Sequence, residues 1–254
     1  MDMSFYTAAV GAHQQQLRLD VHGNNIANVN TYGFRARVPA FSSLMTGEVR
    51  AIDEDLQRGV GARMEDAELD MRPSAVKETH RALDFAIEGH GFFAVQDPAS
   101  GTITYTRDGS FVLSRFTTDA AGGQTQEGTE GSGVTQWYVS DGQGRFVLGS
   151  NGQRIVVNLD EESDLTKIDF PIGIFDFINY NGFNSGSENR LTPVDKNGQV
   201  RFGTGKLIQG YLETSNADLA YEFSKVIETQ RSFQFMLRMV TASDEITSTV
   251  NNLR

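Results

Sequence analysis

The 254-residue chain contains no cysteine. That excludes disulfides, thiolate metal sites and cysteine nucleophiles, and it leaves the redox compartment open. Proline is scarce: all five (Pro39, Pro73, Pro98, Pro171, Pro193) lie between residues 37 and 215. No run approaches the roughly 18 apolar residues of a membrane span, so no membrane insertion is predicted. The opening MDMSFYTAAVGAHQQQ has neither a basic leader nor a long apolar core, so no cleaved secretory signal is predicted. Positive charge is in short supply, with 22 Lys and Arg against 33 Asp and Glu, a net charge of −11. That balance argues against nucleic acid as a partner. The hydrophobic fraction, 39%, is low for a compact globule, while 26 glycines point to extended or loop-rich parts. The length suffices for a sizeable core in one or two domains.

The shortages are unevenly spread. Residues 216–254 hold no Gly and no Pro, and the first 36 residues hold only Gly11, Gly23 and Gly33. Nearly all of the net negative charge falls in the middle, because acids and bases almost cancel at both ends. The spacing predicts helices at the two ends. Residues 4–29 place Phe5, Ala8, Ala12, Leu19 and Ile26 on one face and Val10, Leu17 and Val21 beside it, with Ser4 as cap. Residues 215–254 read as one long helix capped by Ser215 or Asn216, with Asp218 in its first turn. Its apolar residues follow a 4,3 rhythm in two stripes. One is Leu219, Phe223, Val226, Gln230, Phe233, Leu237, Val240; the other is Met236, Met239, Ser243, Ile246, Val250, Leu253. Two end helices, each apolar on more than one side, need partners: each other, and then further copies.

The middle reads as β. Period-two alternation marks Ile103/Tyr105, Phe111/Leu113, Trp137/Val139, Phe146/Leu148 and Ile155/Val157. Turn signals separate them: RDGS, SDGQGR, SNGQR, YNGFN and DKNGQ. Residues 115–133 are polar and Gly-rich and predict a mobile loop. Residues 36–70 lack a clean period and read as a connector of mixed structure. The resulting fold class is α+β, divided as residues 1–35, a 36–70 connector, a β-rich 71–214 and a terminal helix from 215 to 254.

Chemistry finds little footing. Glu78, His80, Glu88 and His90 form the one cluster with metal-ligating side chains, and no zinc-type pair is among them. DKNGQVRFGTGK starts like a calcium loop, but Gly198 comes too early and Lys206 stands where the closing glutamate belongs. GHGFF at 89–93 lacks the third glycine of a dinucleotide fingerprint. EESD at 161–164 pairs acids without a reacting partner. Asp84, Glu88, Asp97 and Asp108 show no spacing that marks a glycosidase pair. No cofactor, metal or catalytic residue is predicted.

Three stretches carry a resemblance. LDVHGNNIANVNTYGFR (19–35) resembles the N-terminal signature of the bacterial flagellar rod and hook family. LDFAIEGHGFFAVQDPASGTITYTRDGSFVLS (83–114) resembles its β-domain segment, and residues 210–253, with E-SN-DL--EF---I--QR, resemble its C-terminal signature. Length and the β segment suit the distal-rod type best. Hook and proximal-rod paralogues share the terminal signatures, and a non-axial helical adaptor is a further alternative. The family often has Asn near Met236; here Met and Leu packing is expected instead.

The resemblance implies terminal helices paired in a coiled-coil-like inner domain, a β domain outside, and helical stacking into a hollow axial drive shaft. It implies a basal-body location outside the cytoplasmic membrane, export through the flagellar channel, and torque passed on to the hook. Implied partners are copies of the chain, neighbouring rod and hook subunits, and bushing-ring proteins. It also assigns subunit packing to Asn24, Asn25, Ile26, Ala27, Asn28, Asn30, Thr31, Gly33 and Phe34, and to Ser215, Asn216, Asp218, Leu219, Phe223, Ile227, Gln230, Arg231 and Phe233. Asn is a poor helix former, and four of them close one helix here. Buried between subunits, neutral amides that must be bonded would fix register, as a core Asn does in coiled coils.

Overall fold

A computed structural model of the chain describes residues 3–44, 46–50, 55–59, 61–118, 124–126, 134–157, 170–186 and 189–253. They form two compact units. The first comprises Met1–Val29, Ala36–Asp70 and Ala217–Arg254; the second comprises Asn30–Arg35 and Met71–Asn216.

The first unit holds helix α1 (Met3–Ala27), strands β1 (Arg37–Ser43), β2 (Thr46–Arg50), β3 (Asp55–Gly59) and β4 (Ala62–Leu69), and helix α2 (Leu219–Asn252). Helix α1 begins at Met3, so Ser4 lies inside it rather than capping it. At its C-terminal end Asn28 donates to the carbonyl of Asn24 twice, through its backbone N–H (3.1 Å) and its side-chain amide (2.9 Å). The cap of α2 is Asp218, not Ser215 or Asn216. Its extended backbone (φ −92°, ψ 111°) lets its carboxylate accept from the N–H groups of Ala220 (2.9 Å) and Tyr221 (3.3 Å). A carboxylate also meets the positive helix end, which a hydroxyl or amide does less well.

The two helices run antiparallel. A Cβ on Gly11 would lie 3.2 Å from Met236 Sδ, Arg18 lies 3.6 Å from Glu228, and His22 lies 2.6 Å from Glu222. The thioether thus fills the space over Gly11, as the Met-rich sequence predicts. The described residues within 36–70, read from the sequence as a connector, include four strands. β1 pairs antiparallel with β4, from Arg37 opposite Leu69 to Ser43 opposite Ala62; β2 pairs with β3. The register of β1 slips between Pro39 and Phe41, next to a residue with no N–H to give the ladder. That slip, in strands with little buried surface, erased the period of two.

The second unit is β. Its strands are β5 (Val76–Glu78), β6 (Phe85–Glu88), β7 (Phe92–Gln96), β8 (Ile103–Thr106), β9 (Val112–Thr118), β10 (Gln124–Gln126), β11 (Val134–Ser140), β12 (Phe146–Val147) and β13 (Val156–Val157). β14 (Ile174–Asp176), β15 (Asn184–Ser185), β16 (Leu191–Thr192), β17 (Arg201–Phe202), β18 (Lys206–Gln209) and β19 (Tyr211–Glu213) complete it. Eleven of them form one sheet along the path β10-β9-β11-β12-β7-β8-β16-β15, with β13 on β11 and β14 joining β7 to β17. β18 pairs with β6 and β19 with β5. Each period-two run quoted above falls on or at the end of a strand. The expected loop at 115–133 is partly strand: β9 runs to Thr118 and β10 pairs back on it. Its remainder, and EESD at 161–164, lie outside the described residues.

Phenylalanine fills this unit. Phe85, Phe93, Phe111 and Phe170 pack with Val95, Val139, Val147 and Ile155 in one core, and Phe116, Tyr138 and Phe146 form a smaller one. Phe93 meets Phe111 edge-on at 5.1 Å, and Tyr105 meets Phe177 at 4.8 Å, arrangements that suit the ring quadrupoles. Gly109 is required here: a Cβ would sit 1.8 Å from the carbonyl oxygen of Phe85.

Candidate subunit-packing surface

The fully buried positions of the seam between α1 and α2 are small or polar, with larger apolar residues half-buried among them. On α2 the buried residues are Glu222, Thr229 and Ser243, with Val226, Phe233, Met236 and Val240 half-buried between them. On α1 the buried positions are Ala8, Ala12, His22 and Asn25. Both sets keep the 4,3 rhythm of a helix seam. The seam therefore takes Val226, Phe233 and Val240 from one predicted stripe, and Met236 and Ser243 from the other.

Most of the large apolar side chains of α2 lie elsewhere. At about 100° of turn per residue, Leu219, Phe223, Ile227 and Leu237 line one flank of the seam. Tyr221, Phe235, Met239, Ile246, Val250 and Leu253 line the opposite flank. All are exposed in the chain, Phe235 by 67% and Leu253 by 84%. On α1, Phe5, Tyr6 and Leu17 are also exposed. A helix that is apolar on three sides has one side covered here and two open.

Hydrogen bonds lock the seam at one end. Asn25 is fully buried. Its amide N–H groups donate to Glu222 Oε1 (2.9 Å) and to the carbonyl of Arg37 (2.8 Å), and its Oδ1 accepts from the Arg37 N–H (2.9 Å). His22 Nδ1 meets the other oxygen of Glu222 at 2.6 Å. Asn25 thus ties α1, β1 and α2 together. Nearby, Lys225 at 2.8 Å and Arg18 hold the Glu228 carboxyl below the usual carboxylate range. Burial lowers the Arg37 guanidinium, opposed by the charge of Asp66.

The remaining predicted residues divide between the units. In the first, Asn24 and Ala27 are exposed and Ile26 and Asn28 half-buried. Asp218, Leu219, Phe223, Ile227, Gln230 and Arg231 are exposed on α2, and Phe233 is half-buried. In the second, Asn30 is exposed, Thr31, Ser215 and Asn216 are half-buried, and Gly33 and Phe34 are buried. Gly33 has φ +65°, and a Cβ there would lie 2.3 Å from the backbone of Arg107 and Asp108.

Gly33 also donates its N–H to the carbonyl of Glu213 (2.8 Å). The Glu213 side chain is buried between two guanidiniums. Arg35 reaches Oε1 at 2.5 Å, Arg107 reaches Oε2 at 2.9 Å, and Ser74 Oγ donates to Oε1 at 3.0 Å. Arg35 bonds the carbonyl of Arg72, and Arg107 those of Ile87 and Gly89. Sequence reasoning missed His22, Arg35, Arg107, Glu213 and Glu222. Two signals were available: Glu213 and Glu222 both stand in the quoted C-terminal signature, and Glu222 sits between Tyr221 and Phe223.

Three family descriptions match the sequence: "Flagella basal body rod protein" over residues 5–35, "Flagellar hook protein FlgE/F/G D1 domain" over 86–129, and "Flagellar basal body rod FlgEFG protein C-terminal" over 208–253. The flagellar basal-body rod protein FlgG of Bacillus subtilis (strain 168) is 33% identical, with 99% of this chain and 98% of that protein covered. The chain belongs to the flagellar basal-body rod and hook family. FlgG of Buchnera aphidicola subsp. Schizaphis graminum is 29% identical, with 98% and 99% covered. The flagellar hook-basal body complex protein FlhP of Bacillus subtilis is 28% identical, with 99% of both covered.

Both buried clasps of this rod-family chain fall on the matched stretches. His22, Asn25 and Arg35 lie in the first, Arg107 in the second, and Glu213 and Glu222 in the third. The carboxyls weighed for glycan chemistry serve local structure. Asp97 accepts from Ser100 and the N–H of Ala99, Asp108 accepts from the N–H of Ser110, and Asp84 is buried beside Arg81. Glu88 is exposed on β6. Among the described residues, no group of three or more His, Cys, Asp or Glu is placed to hold a metal. None of their helices is long and apolar enough to cross a membrane.

Proposed function

We propose that this chain is a structural subunit of the flagellar basal-body rod, of the distal type, and that it polymerises helically through its terminal helices. It works without catalysis, as part of the hollow shaft that carries torque to the hook. The relatives' names support the rod assignment. The observation that carries polymerisation is the inverted helix pair. The fully buried positions of the seam between α1 and α2 are small or polar side chains, while most of the large apolar residues of α2 stay uncovered on two flanks. Each fully buried Leu, Ile or Phe is worth roughly 1.5–3 kcal/mol, so covering those flanks with neighbouring copies is strongly favoured. Flanks of different composition contact different neighbours. Such heterologous contacts build open helical assemblies rather than closed dimers.

In that assembly the helices pair in a coiled-coil-like manner. Asn24, Asn28 and Asn30, which leave their side chains wholly or partly accessible, serve contacts between subunits alongside Phe223, Ile227, Gln230 and Arg231. Asn25 is occupied within its own chain. Neighbours at the rod ends are other rod and hook subunits, and bushing-ring proteins surround the shaft. The chain is exported through the flagellar channel without a cleaved signal and resides in the envelope outside the cytoplasmic membrane.

Sedimentation and electron microscopy of the purified chain over rising concentration test this. Open filaments that lengthen with concentration are expected. A closed, small oligomer of fixed size would overturn polymerisation in favour of a helical adaptor.

A further inference from the structure

Three of the turn signals contain Asn followed by Gly: Asn151–Gly152, Asn181–Gly182 and Asn197–Gly198. All three glycines have positive φ (72°, 85° and 77°), as such turns require. The sequence treats them alike, but their surroundings differ. Asn197 is fully buried. Its amide donates to the carbonyls of Asn179 and Asn181, both at 3.0 Å, and its Oδ1 accepts from the Val194 N–H at 2.7 Å. The N–H of Gly198 is bonded to the carbonyl of Asp195. Asn151 and Asn181 are exposed. Among the described residues, Asn151 bonds across its own turn, to the backbone and side chain of Gln153, itself exposed.

We propose that Asn151 and Asn181 are sites of spontaneous deamidation, and that the fold shields Asn197 from the same reaction. Asn-Gly pairs are chemically labile because glycine offers no side chain to block its own nitrogen. That nitrogen, losing its proton to solvent, attacks Cγ of the preceding asparagine. The N–Cγ bond forms, the Cγ–Nδ2 bond breaks, and ammonia leaves with a proton from water. Water then opens the five-membered imide at either carbonyl, giving aspartate or isoaspartate. The net change is Asn plus water to an acid plus ammonia, with no oxidation or reduction.

The reaction needs the side-chain carbon to swing onto the next nitrogen. At the two exposed turns this breaks contacts open to solvent. At Asn197 it first breaks three side-chain hydrogen bonds in a buried site. With each worth about 1 kcal/mol net, the reactive form is on the order of a hundredfold rarer there. The two exposed sites also differ in consequence. Isoaspartate at 151 lengthens one surface turn. Isoaspartate at 181 displaces the carbonyl that holds Asn197, so damage there loosens the clasp joining 179–181 to 194–198.

The test is incubation of the full chain at mildly alkaline pH, with peptide mapping by mass spectrometry and enzymatic isoaspartate detection at intervals. The expected result is steady conversion at 151 and 181 and almost none at 197. A parallel sample in urea, where no fold protects, is expected to convert all three at similar rates. Conversion of Asn197 in the folded chain as fast as the other two overturns the shielding. Failure of Asn151 and Asn181 to convert in the folded chain, while all three convert in urea, overturns their assignment. In Asn181→Gln, whose longer side chain closes the ring poorly, conversion at 181 is expected to stop and that at 151 to continue.

Discussion

His22 on α1 and Glu222 on α2, two hundred residues apart, meet at 2.6 Å in the buried seam between the helices. The other oxygen of Glu222 takes an N–H from Asn25. One carboxylate therefore satisfies two buried donors, and its removal strands both. Glu222→Ala is expected to destabilise the helical unit by about 3 kcal/mol. Urea unfolding followed by helical circular dichroism would show this as a lower midpoint.

Asn25 and Asn28 are expected to part company under the same substitution. Asn25→Leu removes the bonds that the side-chain amide makes to Glu222 and to the Arg37 backbone and lowers chain stability. Asn28→Leu loses a side-chain bond at the helix end, in a half-buried position, and is expected to cost less than Asn25→Leu, about 0.5–1 kcal/mol. If Asn28 serves contacts between copies, its polymer yield falls all the same. Comparison of unfolding midpoints with pelleted polymer separates the two effects.

Glu213 is the keystone of the β unit, set between Arg35 and Arg107. Glu213→Ala removes the carboxylate shared by two buried guanidiniums and is expected to cost about 3–5 kcal/mol. Gly33→Ala strains the same place through positive φ and a blocked Cβ. Both variants are expected to lose the near-ultraviolet aromatic signal at lower urea than the parent.

The β unit also has a pH signature. Burial raises the Asp176 carboxyl, but hydrogen bonds from Tyr180, the Phe177 N–H and Arg201, with the Arg201 charge, outweigh it and hold it below the usual range. A depressed acid stabilises the fold above its unfolded value, about 3.9, and that part is lost as pH falls through the folded value. Tyr180 is pushed up to about 12, by burial first and then by Asp176. Between about pH 10 and 12 the unfolded chain sheds a proton that the folded chain keeps, so stability falls as pH rises. Tyr180→Phe is expected to remove its share of that alkaline slope, as read by urea midpoints across the range.

Much of the β unit was legible because strand cores alternate, and Phe111, Val139, Phe146 and Ile155 are buried where a period of two puts them. The hairpins of 36–70 were not, because little of β1 and β4 is buried and Pro39 interrupts the ladder. The two helices were legible, but not their facing. Hydrophobic stripes assume that the largest apolar residues turn inward, whereas the fully buried positions are Ala12, Thr229 and Ser243, Phe233 and Met236 are only half-buried, and Phe223 and Ile246 stay out. Partners at long range, such as Arg35, Arg107 and Glu213, leave no local period to read.

The central claim is that the open flanks of α2 are where copies of the chain meet. The cysteine-free sequence allows a direct reading. In Ile227→Cys and Met239→Cys the single thiol stands on one or the other flank, and in Gln143→Cys it stands on an exposed turn of the β unit. The measurement is the rate of thiol alkylation in monomer and in polymer. The expected result is rapid alkylation of all three monomers, with strong protection of 227 and 239 on polymerisation. Alkylation of 227 and 239 as fast in polymer as in monomer would contradict the claim.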